Sequence, residues 1–294
     1  MTDAYHSIFA PDLFHGQVAL VTGGGTGIGR CIAHELASLG ATVIVCGRRA
    51  EPLQQVVTEI TAQGGRAAWI NLNVRDEEQV HQVLGQIVAD HSRLDLVVNN
   101  AGGQFVCEAE GIRPKGWRAV LDTNLSGPFW VCQAAFAHWM GDHGGAICNV
   151  VADMWNGFPG LSHTGAARAG VVNLTMTLGV EWAGRGIRVN AVAPGGILSS
   201  GLSNYPQEVQ EIAADAMKQV PAARLGSESE VSAAVVFLLS PAASYITGAT
   251  LRVDGGGSLA KVPMMPMPSE PAIAPYSGWP AGALGSQVPA RFRT

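Results

Sequence analysis

Charge is scarce in this sequence. Asp, Glu, Lys and Arg make up 14% of its 294 residues, against 47% hydrophobic, and the formal net charge is −5. That balance leaves no basic field for nucleic acid. Long apolar runs are missing too, and no stretch approaches the length that spans a membrane. Residues Met1 to Phe14 lack a basic region followed by an apolar one, so no signal peptide is expected. Cysteine is sparse and odd in number. The five (Cys31, Cys46, Cys107, Cys132 and Cys148) show no C-x-x-C spacing, and most fall in predicted strands or helices. They read as reduced core residues, not as a disulfide frame or a metal site. His138 and Asp142 sit four apart, but two possible ligands on an exposed helix do not make a metal site, and none is expected.

What is present is apolar sequence enough for one large α/β domain or two small ones, with a sheet covered on both faces. The chain is organised around residues 17–30, QVALVTGGGTGIGR. Val18 to Val21 read as a buried strand. A glycine turn follows, and then Ile28, Ile32, Leu36 and Leu39 recur at helical spacing. Gly23 permits the sharp turn, Gly27 the approach of backbone to a pyrophosphate, and Gly29 close packing of helix on strand. The helix N-terminus presents unpaired N–H groups to the anion. The pattern has the right strand before it and the right helix after it, which a lone glycine motif lacks.

Beyond this unit, strands are predicted at Ala41 to Cys46, Ala67 to Leu72, Leu94 to Val98, Ala146 to Val151, Ile187 to Val192 and Thr250 to Val253. Helices are predicted over residues 51–63, Glu77 to Asp90, Gly116 to Met140, Thr164 to Trp182 and Glu228 to Leu239. This alternation implies an α/β fold with a doubly wound parallel sheet of the Rossmann type. Residues 1–16 read as an arm anchored by Phe9, Leu13 and Phe14, residues 17–260 as the single nucleotide-binding domain, and residues 198–225 as an irregular insertion able to close over a substrate. The last 34 residues, 261–294, hold seven of the 16 prolines and three methionines, Met264, Met265 and Met267. This tail cannot be regular helix or central strand. It reads either as a strap laid on a neighbouring subunit through Trp279, Tyr276 and Phe292, or as a disordered tail.

Thr22-x(3)-Gly27-x-Gly29, Asn99-Asn100-Ala101-Gly102, Asn124, Pro194-Gly195 and Asp254-Gly255-Gly256 stand in the order and spacing of the short-chain dehydrogenase/reductase family, which the chain resembles over roughly residues 15–258. Asn99 to Phe105, Gly116 to Leu125 and Gly157 to Gly170 are more specific. They resemble the trans-2-enoyl-CoA reductases of peroxisomes, and the 2,4-dienoyl-CoA reductases are similar at the same place. The resemblance implies that Thr22, Gly23, Gly25, Thr26, Gly27, Ile28, Gly29, Arg48, Asn73, Val74, Asn100, Ala101, Gly102, Arg168, Pro194, Gly195 and Ile197 bind the cofactor. Most of that family carries a Ser, and a Tyr and Lys spaced Y-x-x-x-K. Here Thr164 stands at the tyrosine position, Arg168 at the lysine, and Val151 or Ala152 at the serine, so only Asn124 of the usual tetrad remains.

Chemistry gives that departure a meaning. Reducing a ketone needs an acid whose pKa lies near working pH. An alcohol such as Thr164 is too weak an acid, and Arg168 stays protonated and relays nothing. Reducing an α,β-unsaturated thioester instead sends hydride to Cβ and charge to the distant oxygen, which fixed donors can stabilise while water protonates Cα. Thr164 and His163 are the local donors, each with a helix-cap or packing role as the alternative. Arg168 stands ready for the nicotinamide ribose or for a structural salt bridge. Asn124, poorly placed mid-helix by propensity, is implied by the resemblance to interrupt its helix and orient the site. Asp153, Met154 and Trp155 follow the fifth predicted strand, where ligands bind in open sheets.

The expected function is NADPH-dependent reduction of trans-2-enoyl-CoA. Reduction of a dienoyl thioester or a carbonyl, and NADP binding without turnover, remain as alternatives. Arg48, in Gly47-Arg48-Arg49 with no acid until Glu51, is expected to clamp the 2′-phosphate of NADP(H). An acyl-CoA-type substrate, a cytoplasmic location and a homotetramer, as the family assembles, complete the expectation.

Overall fold

The computed structural model describes residues 4–199, 207, 211, 220–259 and 270–279. Seven strands form one parallel sheet in the order β3-β2-β1-β4-β5-β6-β9. They are β1 (Val18–Thr22), β2 (Thr42–Gly47), β3 (Arg66–Asn71), β4 (Leu96–Asn99), β5 (Gly145–Val150), β6 (Ile187–Pro194) and β9 (Thr250–Val253), and a separate parallel pair joins β7 (Ile197–Leu198) to β8 (Gly226–Ser227). The apolar run of β1 follows from its place at the centre. Ala19 and Val21 enter the core on one face while Val18 and Leu20 enter that on the other, so every position is buried.

Helices α1 (Gly27–Ser38), α2 (Ala50–Ala62) and α3 (Glu77–His91) connect the first four strands. The chain runs outward from β1 to β3 and then returns to place β4 on the other side of β1. That reversal opens a crevice at the carboxyl ends of β1 and β4, where open sheets bind ligands.

The predicted helix over Gly116 to Met140 is broken. Helix α4 (Pro114–Leu121), α5 (Gly127–Ala135) and the single turn α6 (Gly141–His143) are separated by π-turns at Asp122–Ser126 and Phe136–Met140. Each π-turn inserts a residue into the ladder without changing the run of apolar residues, so periodicity did not reveal it. Helix α7 (Ser162–Trp182) and α8 (Glu228–Leu239) complete the two layers. Ser227 caps α8 in a reciprocal box with Glu230.

The arm packs Phe14, fully buried, with Phe9 and Leu13 against the core. Of the tail, the described part closes on its own chain: Trp279 is buried against Tyr5 and His34 with Arg30 over its ring, and Tyr276 Oη donates to His6 O. This replaces the expectation that Trp279 and Tyr276 anchor to a neighbour. Phe292 and the three methionines lie outside the described residues, as does most of the insertion at 198–225. Among the described residues no helix is long and apolar enough to cross a membrane.

Candidate active site

The glycine turn works through one hydroxyl. Thr22 Oγ1 donates to Val98 O (3.3 Å) and accepts from the N–H groups of Asn100 (3.0 Å) and Ala101 (2.9 Å). Asn100 Nδ2 donates back to Thr22 O (3.0 Å) and Gly23 O (3.2 Å). These bonds stitch the ends of β1 and β4 together across the crevice. Gly23 and Gly27 take left-handed backbone, with φ of +64° and +56°. A Cβ on Gly29 would collide with Gly23 O and Asn100 Nδ2, so only glycine lets α1 approach this closely. Thr26 caps α1 without a side-chain bond, which leaves first-turn N–H groups turned to the crevice. The Ile28 side chain packs on the core, so only its backbone belongs to the turn.

A cleft of about 430 Å³ opens here. It brings together Gly23, Gly25, Thr26, Arg48, Asn73, Val74, Ala101 and Gly102 from the ends of four strands. Its lining also holds Arg49, Arg75 and Thr123, and no Asp or Glu. Pro194 and Gly195 lie outside that lining, at the end of β6, where Pro194 O accepts from Asp153 N (3.1 Å) and Gly195 presses on Asp254. Ile197 is buried in the core beside them.

Gly102, Asn124 and Arg168 converge at the inner end of the cleft. A Cβ on Gly102 would lie 2.5 Å from Arg168 Nη2 and 2.9 Å from Asn124 Oδ1. Asn124 sits within the first π-turn. Its Nδ2 donates to Val120 O (2.8 Å) and Gly103 O (2.7 Å), and its Oδ1 accepts Gly103 N–H (3.3 Å), so it ties the loop after β4 to the interrupted helix. Arg168 is 8% exposed and donates to Val150 O (3.0 Å), but its Nε has no partner. No carboxylate among the described residues pairs with it. Burial lowers its pKa to about 10, which still leaves a cation at neutral pH. A buried, unpaired guanidinium is costly, and a cofactor carrying hydroxyl and phosphate oxygens fits the gap.

Position 164 offers no acid. Thr164 is fully buried and its N–H donates to His163 Nδ1 (2.8 Å), with the Thr164 hydroxyl 3.3 Å from the same nitrogen. A nitrogen that accepts carries no proton, so this arrangement assigns the proton of the neutral ring to Nε2. Burial also lowers the His163 pKa, which favours that neutral ring. Nε2 is buried with no partner, and the half-exposed ring of Phe105 covers the imidazole at 4.5 Å between centroids. At the serine position, Val151 is a buried apolar side chain and Ala152 a half-buried one. Beyond it Asp153 has an unpartnered Oδ1, its carboxyl pushed up by burial and by Asp254, while Arg252 stacks on Trp155 at 4.1 Å.

The chain matches the family described as enoyl-(acyl carrier protein) reductase over residues 23–258. A probable 2,4-dienoyl-CoA reductase, (2E)-enoyl-CoA-producing, of Bacillus subtilis (strain 168) is 40% identical over 250 residues, covering 84% of this chain and 98% of that protein. The chain belongs to the short-chain dehydrogenase/reductase family. It is an oxidoreductase, and the reductases of this family bind a nicotinamide cofactor. The short-chain family spans both double-bond and carbonyl reductases: a 3-oxoacyl-[acyl-carrier-protein] reductase FabG of Thermotoga maritima is 36% identical over 243 residues, 82% of this chain and 97% of that one. Among solved short-chain structures, a citronellol catabolism dehydrogenase (AtuB) of Pseudomonas aeruginosa PAO1 superposes with a TM-score of 0.78 at 48% identity, covering 86% of this chain and all of that chain.

Two features of this short-chain site escaped sequence reasoning. Arg75 enters the cleft because β3 ends beside β2, a pairing that local sequence does not encode. Phe105 reaches His163 because the loop after β4 folds back, held where Cys107 N–H donates to Gly160 O (2.9 Å). The one available signal was the run Asn73-Val74-Arg75, whose third member went unread.

Proposed function

We propose that this short-chain reductase adds hydride from NADPH to the C=C bond of a trans-2-enoyl-CoA thioester. The observation that carries the reading is the start of α7. Where ketone reduction needs an acid, this chain has a buried Thr164 and a neutral imidazole whose donor Nε2–H is unclaimed. Such a group hydrogen-bonds an oxygen on which charge develops and holds no excess proton to give.

When bound, NADPH supplies the hydride. Gly23, Gly25, Thr26 and the N-terminus of α1 would hold its pyrophosphate, Asn73, Val74, Asn100, Ala101 and Gly102 its adenine and ribose side, and Pro194, Gly195 and Ile197 would border the nicotinamide. Arg48 clamps the 2′-phosphate, a role supported by a cleft lined with arginine and without carboxylate. Arg168 places its charge by the nicotinamide ribose, and Asn124 fixes the loop at Gly103 beside it. His163 Nε2–H donates to the thioester oxygen as hydride reaches Cβ, with Thr164 fixing the imidazole tautomer. Water then delivers the proton to Cα, so one hydride and one proton add across the double bond. The enzyme is read as a cytoplasmic homotetramer.

The test follows NADPH oxidation with trans-2-enoyl-CoA, 2,4-dienoyl-CoA and 3-ketoacyl-CoA of one chain length. The enoyl substrate should turn over fastest and the ketoacyl substrate stay near background. Faster turnover of 3-ketoacyl-CoA overturns the reading. The name of the Bacillus relative favours a second reading, dienoyl reduction by the same donors, and the dienoyl substrate outpacing the enoyl one would select it.

A further inference from the structure

Three arginines line the outer end of the cleft, and only Arg48 has been given a role. Arg48 and Arg49 follow β2, whereas Arg75 follows β3. These strands are parallel neighbours with Gly47 opposite Asn71, and Leu72 N–H donates to Gly47 O at 3.0 Å. Their carboxyl ends therefore open side by side onto the same space. The chain after β3 is tightly held there. Asn73 N–H donates to Gln79 Oε1 (2.8 Å), Asn73 Oδ1 accepts Arg75 N–H (3.3 Å), and Asp76 caps α3 by accepting Gln79 N–H (3.1 Å). Arg75 thus projects from a fixed turn at the start of a helix.

Among the described residues its charge has no protein partner. No carboxylate among the described residues forms an ion pair with Arg48, Arg49 or Arg75, although acids stand close in sequence. Asp76 is committed to the helix cap, and Glu78 accepts from Gln82. Like charges converging on one concave site repel unless an anion joins them. We propose that Arg75 is the second side chain of the 2′-phosphate site, closing it from the β3 edge while Arg48 closes it from the β2 edge. The inference rests on the NADPH reading above and adds a residue to it. A dianionic phosphate matches two guanidinium forks better than one, because each fork offers paired donors.

Arg75 has one competing use, stacking its guanidinium on the adenine face. Stacking would serve NADH and NADPH alike, whereas a phosphate clamp serves NADPH alone. The experiment is calorimetric titration of native protein, Arg75→Ala, Arg75→Lys and Arg48→Ala with NADPH, NADH and adenosine 2′,5′-bisphosphate, with melting temperatures as the folding control. For Arg75→Ala the dissociation constants of NADPH and the bisphosphate should rise roughly 10-fold or more, as loss of a charge-assisted contact implies, while that of NADH stays within about twofold. Arg75→Lys should recover part of the loss. Equal weakening for NADH and NADPH, or no weakening for either, overturns the role of Arg75. If Arg48→Ala alone loses NADPH selectivity, the NADPH reading stands and Arg75 falls. If the native protein binds both cofactors equally, the NADPH reading fails and takes this inference with it.

Discussion

At the scale of single residues the site is defined by what replaces a tyrosine and a lysine. Thr164 is fully buried and Arg168 is wedged between Gly102 and Val150 O. Were this a crippled ketoreductase, the double change Thr164→Tyr with Arg168→Lys would raise carbonyl reduction by up to the ~10²–10⁴-fold that general acid catalysis contributes. We expect the opposite. The ring has no space at position 164, and forcing it in costs about 1–3 kcal/mol of packing. Lysine in place of the fork of Arg168 abandons the contact with Val150 O. The double variant should lose enoyl-thioester reduction and gain no 3-ketoacyl-CoA reduction, measured under equal NADPH. A gain in carbonyl reduction would contradict the reading. The residues of the phosphate turn were legible in sequence because their chemistry is local: Thr22, Gly23, Gly27 and Gly29 act within one strand–turn–helix unit. Arg75 and the orphan Nε2 of His163 were not, because each gains its meaning from a distant segment folded beside it, the end of β2 for Arg75 and Phe105 for His163.

Helix α1 shows the same limit for a whole element. Its apolar face and its glycine entry are written in residues 27–38, yet Tyr5, Ser7 and Trp279, far away in sequence, pack on its other side. Glu35 is fully buried on α1, where it accepts from Tyr5 Oη (3.2 Å), Ser7 Oγ (2.7 Å) and Ser232 Oγ. Arg30 and His34, which touch Trp279, pair with Glu59 instead. No cation among the described residues pairs with Glu35, and burial pushes its carboxyl above the usual range, the three hydroxyls opposing in part. A raised folded pKa means that the folded state holds the proton more tightly than the unfolded state. The stability this group contributes is therefore complete below its ordinary value of 4.5 and is lost as pH rises through the folded value. Glu35→Gln carries no charge to bury. Its melting temperature relative to native protein should be lowest near pH 4.5 and climb as the pH is raised to about 8. A melting temperature of Glu35→Gln that falls relative to native as pH rises would show that the hydroxyls outweigh burial. The helix broken by π-turns makes a related point: its apolar pattern runs on through Asp122–Ser126, and only Asn124 hinted at the interruption.

Across the whole molecule, the described residues leave the β9 edge of the sheet uncovered. Among them β9 is hydrogen-bonded only to β6. Leu251 on that strand, Tyr245 before it, and Met176 and Val180 on α7 are all exposed, with Val180 at 80%. Gly248, after Tyr245, lies against the Met176 backbone, so the turn before β9 borders the exposed side of α7, while Leu251 shares the other sheet face with Val192 and Val253. An apolar edge strand beside an apolar helix face is a template for association unless it is covered. Such a surface meeting its own copy would close a two-fold pair, as the proposed homotetramer requires. Trp117 on α4 is a second exposed apolar anchor, on a separate helix. Two distinct two-fold contacts generate a tetramer. Light scattering at micromolar concentration should therefore give a mass near four times 30.6 kDa. Placing a charge on the exposed side of α7 by Val180→Asp should split the contact made there and leave a dimer. A native mass near 30.6 kDa would refute the assembly. A native tetramer that Val180→Asp leaves intact would move the interface away from the β9 edge.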